Sequence, residues 1–224
     1  MKEFRGLSLL EAVVAVAIFG TLTLLVLSFW ETASRSFFYS TVREDITTET
    51  RRAVVTITSH VHRTDGELTL VRSDRVWTNA QGQSFRRDAI CFTDVENWKD
   101  PSAIDKANAS IRWNVYRTIY ATRRPEGKLV LETQQPSTPP YNTPWPPGVS
   151  DSFLQDVPTA NAGARSVRVL SDSLESLLFN YDPERRLLVV DLTLARQGAK
   201  KTDGRNINER SQVVVKVRLE NTSL

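Results

Sequence analysis

A chain of 224 residues with 40% hydrophobic and 25% charged side chains has a globular balance, which excludes a disordered chain and a protein of many membrane spans. It has room for one ordinary domain with an appendage, not for two independent cores. The formal net charge of +3, from 29 basic and 26 acidic residues mixed along the chain, is too mild to argue by itself for nucleic acid as partner.

The first element is apolar. From Leu7 to Trp30 the chain reads LSLLEAVVAVAIFGTLTLLVLSFW, long enough against the roughly 20 residues that a helix needs to span a hydrocarbon core. Glu11 is its one interruption. Trp30 closes the stretch as an interfacial aromatic does, and Lys2 and Arg5 before it favour an N-terminus held in the cytoplasm. A cleaved secretory signal would be shorter and end at an A-x-A-like site, whereas this run continues into Trp-Glu-Thr. A plain signal anchor accounts for length and orientation but leaves Glu11 unexplained. A carboxylate at the bilayer centre costs about 2.5–3.5 kcal/mol even on the lenient insertion scale.

A short basic leader ending in Gly6, then Leu7, an apolar helix and Glu11 at the fifth position after Gly6 together resemble the class III signal of type IV prepilins and type II secretion pseudopilins. The family most often has phenylalanine where this chain has Leu7. The resemblance implies that a prepilin peptidase cuts the Gly6–Leu7 bond on the cytoplasmic side and methylates the new amine of Leu7. It further implies that Glu11 pairs with the terminal amine of a neighbouring subunit and sets the register of assembly. That pairing suits the rule that charges within a membrane pair and face a bundle interior. The partners implied are the prepilin peptidase, other minor and major pilins or pseudopilins, and the inner membrane, with the head periplasmic or exterior and later part of a pilus or pseudopilus. No cofactor is implied.

Helical periodicity continues past Trp30. Phe38, Val42, Ile46, Ala53, Ile57 and Val61 recur at spacings of four and seven, one apolar face of an amphipathic helix, with Arg43, Glu44, Glu49 and Arg51 on the others. No proline occurs before Pro101, so a single helix is expected from about Leu7 to His62, stopped at Thr64-Asp65-Gly66. The expected divisions are a leader at 1–6, a transmembrane or filament-core half at 7–30, an amphipathic half at 31–63 and a β-rich head at 64–224.

After Gly66 the period becomes two. In IRWNVYRTIY, Ile111, Trp113, Val115 and Ile119 are expected on one side of a strand, with Arg112, Asn114 and Thr118 on the other. Shorter strands are expected at Glu67–Val71, Val76–Thr78, Ala89–Thr93 and Lys128–Glu132. Cys91, the single cysteine, alternates with apolar residues in AICFT and reads as a buried strand thiol. Near the C-terminus, LESLLFNYDPERRLLVVDLTLA gives two strands joined at Asp182-Pro183, and SQVVVKVRLE a third after a polar loop at Gly198–Asn208. A half-buried antiparallel meander follows. The expected fold class is α+β and pilin-like, a long N-terminal helix packed on an antiparallel β-sheet head. With its large head and late meander the chain resembles the J-type minor pseudopilins and the W-type minor pilins.

The proline-rich segment 134–164 cannot enter a sheet interior. It is expected to be a surface excursion whose Tyr141 and Trp145 tuck onto the head, with a partner-docking arm as the alternative. His60 and His62, two apart, point in different directions on a helix and do not form a zinc pair. The acidic run Asp94, Glu96 and Asp100 lacks the glycine turn and closing glutamate of an EF-hand loop, so no metal is expected. No phosphate-binding loop, dinucleotide fingerprint or nucleophile elbow is present, and no enzyme is expected. The basic doublets at Arg51-Arg52, Arg86-Arg87, Arg123-Arg124, Arg185-Arg186 and Lys200-Lys201 would serve DNA only if they converge in space. The expected function is a structural subunit of a pilus or pseudopilus. A signal-anchored periplasmic binding module and a DNA-uptake subunit are the alternatives.

Overall fold

The computed structural model describes residues 8–79, 82–122, 127–144, 154–161, 163–200 and 206–220. Among them there is one α-helix, α1, spanning Leu9–Val61, and twelve strands. The first strands are β1 (Thr69–Arg72), β2 (Val76–Thr78), β3 (Ser84–Arg86), β4 (Ala89–Asp94), β5 (Ile104–Asp105) and β6 (Ser110–Ile111). Then come β7 (Val115–Ala121), β8 (Leu129–Gln134), β9 (Ala164–Ser171), β10 (Leu174–Asp182), β11 (Leu187–Lys200) and β12 (Asn206–Arg218). The chain forms two compact units, one running to Val42 and one from Arg43 onward.

The first unit is helical. Its apolar residues from Leu9 to Trp30 face outward, with Leu9 at 86% and Phe29 at 74% exposure, and no part of its most apolar window is buried; Val42 at its end is buried. By length and composition this helix is able to cross a membrane.

In the second unit the remainder of α1 buries one stripe: Ile46, Thr50, Ala53, Ile57 and Val61. The expected stripe is therefore present, with Thr50 filling the turn between Ile46 and Ala53; its hydroxyl donates back to the Ile46 carbonyl at 2.6 Å. Phe38, expected on the same face, is 42% exposed. The helix ends where Thr64 N–H bonds to the Val61 carbonyl. Gly66 is needed there for close approach, since a Cβ on it would run into the Tyr181 hydroxyl.

Strands β1, β4, β7, β8 and β9 form a five-stranded antiparallel sheet in the order β1-β4-β7-β8-β9. A second antiparallel sheet runs β10-β11-β12. The main core lies among α1 and both sheets. It joins Ile46, Ile57 and Val61 to Ile90 and Phe92, to Ile119 and Leu131, and to Leu177, Leu188 and Leu192. Each such side chain withdrawn from water stabilises the fold by about 1.5–3 kcal/mol. This is the α+β, pilin-like architecture expected, a single long N-terminal helix packed on antiparallel sheet.

The opposite face of the five-stranded sheet is covered too, by Trp113, Tyr141, Leu154, Val95 and Ala103 packed on Cys91, Tyr116, Tyr120 and Val130. That second layer corrects two expectations. Thr118 was expected on a polar side, yet it is buried, because β7 is covered on both faces. Ile111, Trp113, Val115 and Ile119 do not share one face either. The backbone leaves strand geometry between β6 and β7, which sends Ile111 and Trp113 to the outer layer and Ile119 to the helix side. The expected loop at Gly198–Asn208 is shorter, since β11 continues to Lys200 and β12 starts at Asn206. Strand β9 was not anticipated. Tyr141 packs on the head as expected, its ring centroid 4.4 Å from that of Tyr116; Trp145 lies outside the described residues.

Candidate functional site

Of the residues that carry the N-terminal signature, Gly6 and Leu7 lie outside the described residues. Glu11 stands in the first turn of α1. Ser8, just before the helix, donates its backbone N–H to Glu11 Oε2 at 2.9 Å and its hydroxyl to the same oxygen at 3.0 Å; Glu11 N–H donates to Ser8 Oγ at 3.3 Å. Ser8-Leu9-Leu10-Glu11 is thus a reciprocal capping box, in which side chains at the first and fourth positions satisfy each other's orphan N–H groups. The signal for it in the sequence is the S-x-x-E spacing ahead of an apolar run.

Where the helix meets the head, the two histidines diverge. His60 Nδ1 lies 3.3 Å from Asp94 Oδ2 on β4. His62 Nδ1 lies 3.0 Å from the Arg218 carbonyl, and its Nε2 lies 3.1 Å from Glu220. Asp94 is the centre of a buried cluster. It also pairs with Arg117, accepts the Val95 N–H at 2.8 Å and accepts the Trp98 indole N–H at 3.2 Å. Burial pushes its carboxyl up, but the His60 hydrogen bond and the Arg117 charge outweigh that and hold it below its ordinary value. The acidic run separates accordingly. Glu96 pairs with Arg165 at 2.9 Å, and Asp100 caps the turn at Pro101–Ala103 by accepting the Ser102 N–H. Among the described residues no group of three or more His, Cys, Asp or Glu is placed to hold a metal ion.

Two further buried polar groups were not legible from motifs. Glu132 on β8 is fully buried. It accepts from Asn161 Nδ2 at 2.6 Å, from Gln134 Nε2 at 3.2 Å and from the Tyr120 hydroxyl at 3.3 Å, and burial raises its pKa. Arg87 is 1% exposed and donates to the carbonyls of Thr122, Leu174 and Glu175 at 2.8, 3.1 and 3.3 Å. Its guanidinium sits 4.2 Å over the Trp77 ring, and burial lowers its pKa to about 10. The Arg86-Arg87 doublet is therefore divided, with Arg86 half-exposed and paired at 2.9 Å to the buried carboxylate of Asp88, and Arg87 inside. Cys91 is buried as expected, and burial pushes its thiol up to about 12, far from a nucleophile.

A groove of about 530 Å³ runs beside the second half of α1, lined by Glu44, Asp45, Glu49 and Arg52 from the helix and by Asp172 and Arg196. Arg196 fills part of it by pairing with Glu49 at 2.7 Å and Asp45 at 3.8 Å. The groove sets four carboxylates against two guanidiniums and its wall is open, which suits contact with a surface better than capture of a small molecule.

The fold defines a class, a pilin-like α+β protein, and among the described residues the buried polar clusters join one element to another. The chain matches no family model, no curated protein and no solved structure.

Proposed function

We propose that the protein is a minor pilin or pseudopilin, a non-enzymatic subunit held by one membrane-spanning helix until it joins a type IV pilus or type II secretion pseudopilus. The observation that carries this reading is the spacing of Gly6, Leu7 and Glu11 in the sequence, together with a 53-residue helix that has Glu11 in its first turn and packs its second half into a β-sheet head. In this reading a prepilin peptidase cuts after Gly6 and methylates Leu7, leaving a cationic amine near the membrane surface. Glu11 then exchanges its local Ser8 contacts for the terminal amine of a neighbouring subunit. The outward apolar face of the first unit packs against other subunit helices as lipid contacts are given up. The basic leader residues Lys2 and Arg5 favour a cytoplasmic N-terminus and a periplasmic head. The late β10–β12 meander and the size of the head support a J-type or W-type minor subunit.

The test is the intact mass and N-terminal sequence of the protein from its native membrane, beside a Gly6-substituted form. A mature chain starting at methylated Leu7, absent from the substituted form, is the expected result. Retention of Met1–Gly6 in both would overturn the reading and leave a plain membrane-anchored domain.

A further inference from the structure

Among the described residues strand β12 is hydrogen-bonded to one neighbouring strand alone, so its outer edge has no strand partner, and only its far end is covered, where His62 meets the Arg218 carbonyl and the Glu220 N–H donates to the His62 carbonyl. Edge strands in monomeric proteins are guarded by proline, by bulges, by shortness, by charges on the edge or aimed inward, or by a covering element. From Ser211 to Val217 the guard is slight: the stretch contains no proline, pairs with β11 in unbroken register, carries no charge on its core side and has Lys216 as its single charged residue. Along that side Val213 and Val215 are half-buried and Val217 is buried, so the apolar core thins out toward the edge without being sealed. An added strand would cover those valines.

Charge selects what that strand is. On the outer face of the sheet, Arg210, Gln212, Val214, Lys216 and Arg218 alternate and are exposed. Arg210 is neutralised by Glu175 and Gln212 donates to Asp191, whereas Lys216 and Arg218 have no ion-pair partner among the described residues. Pairing with a second copy of this edge would gather two further uncompensated cations on one face, and like charges on neighbouring strands destabilise a sheet. We infer that the outer edge of β12 takes an extended segment of another protein, apolar at every second position and acidic between, so that its carboxylates lie beside Lys216 and Arg218. Backbone hydrogen bonds supply the attraction and the charge row supplies register. This inference does not depend on the filament reading.

The probe is a capped nine-residue peptide, Thr-Val-Glu-Val-Asp-Val-Glu-Val-Thr, titrated into the full chain in detergent micelles. Binding is followed by anisotropy and by hydrogen exchange. Protection should appear within residues 209–218 and not along β9. Four consecutive N-methyl groups at the peptide's centre, which remove backbone donors on both of its edges, should abolish binding. Lys216→Glu with Arg218→Glu should weaken it about five- to tenfold. Both positions are exposed, so the variant keeps its fold, and a peptide with lysine in place of the acids should then bind the variant better than the parent. Equal binding of the N-methylated peptide, protection elsewhere, no binding at millimolar peptide, or protection of 209–218 by self-association alone would each overturn the inference.

Discussion

Asn161 holds the later part of the proline-rich segment against the sheet by donating its amide to Glu132 at 2.6 Å, while its own carbonyl accepts the Gln155 N–H at 2.8 Å. Glu132 is fully buried, and the neighbouring Tyr120 hydroxyl bonds both to it and to the Gln155 carbonyl, at 3.3 and 3.2 Å. Burial raises the Glu132 pKa above its ordinary value of 4.5, so the folded state favours the protonated acid. The associated stability is fully present below the unfolded pKa and is lost as pH rises through the folded one. Glu132→Gln should remove that slope. Urea midpoints of the full chain in micelles should fall more steeply for the parent than for the variant as pH rises from 4.5 through the raised folded pKa, the variant gaining relative to the parent above it. A parallel pair of pH profiles would refute it.

The Asp94 cluster has the opposite sign. His60 and Arg117 hold the carboxyl below its ordinary value of 3.8, so its contribution is present above that value and disappears as pH falls through the lower, folded one. Asp94→Asn leaves Arg117, 15% exposed at its side chain, without its counter-charge and loosens the tie between the end of α1 and β4. Breaking a buried pair on one side costs about 3–5 kcal/mol. Chemical denaturation at pH 7 should show a loss of that size, shrinking in acid where Asp94 is protonated in the parent.

Gly127 sits where any side chain would collide with the Arg87 guanidinium and with the Leu174 carbonyl. The second of these is backbone, and Leu174 N–H also bonds to the Gly127 carbonyl at 2.9 Å, so little can give way. Gly127→Ala should therefore destabilise the head although it adds one methyl group. Arg87→Met removes the donors that tie Thr122, Leu174 and Glu175 together, and two buried carbonyls and one half-buried one then lose a partner. The expected loss is at least about 3 kcal/mol. Thermal melts of both variants beside Gly82→Ala separate the steric effect from backbone strain, because Gly82 has a φ of 77° but open space where a Cβ would stand.

Much of this architecture could be read from the chain, and the misses share a cause. The helical stripe and the β10–β12 meander show themselves because each has one wet face, so periodicity reports burial. β4, β7 and β8 are dry on both faces, and there polar residues such as Thr118, Thr133 and Glu132 are satisfied inside the protein, which breaks the link between polarity and exposure. β9 (ARSVRVLS) is an exposed edge with Val167 and Val169 its only periodic signal, and it follows a proline-rich stretch that draws attention to loops. Arg87 reads as half of a surface doublet; only long-range contacts reveal the carbonyls it serves.

Glu11 now has two possible occupations, and one pair of substitutions separates them. As a cap it needs an acceptor oxygen, since Ser8 N–H and hydroxyl both donate to it. As an assembly charge it needs its negative charge. Glutamine serves at this position of a capping box about as glutamate does, so Glu11→Gln keeps the helix start and removes the charge. Ser8→Ala does the reverse, costing about 1 kcal/mol of capping while leaving the carboxylate in place. Under the proposed function, Glu11→Gln should insert in the membrane at normal abundance yet fail to co-purify with other pilin-like subunits. Ser8→Ala should still co-purify with them. If Glu11→Gln assembled normally and Ser8→Ala lost abundance, the carboxylate would be a helix cap alone, and register between subunits would have to come from the apolar helix face or from the head.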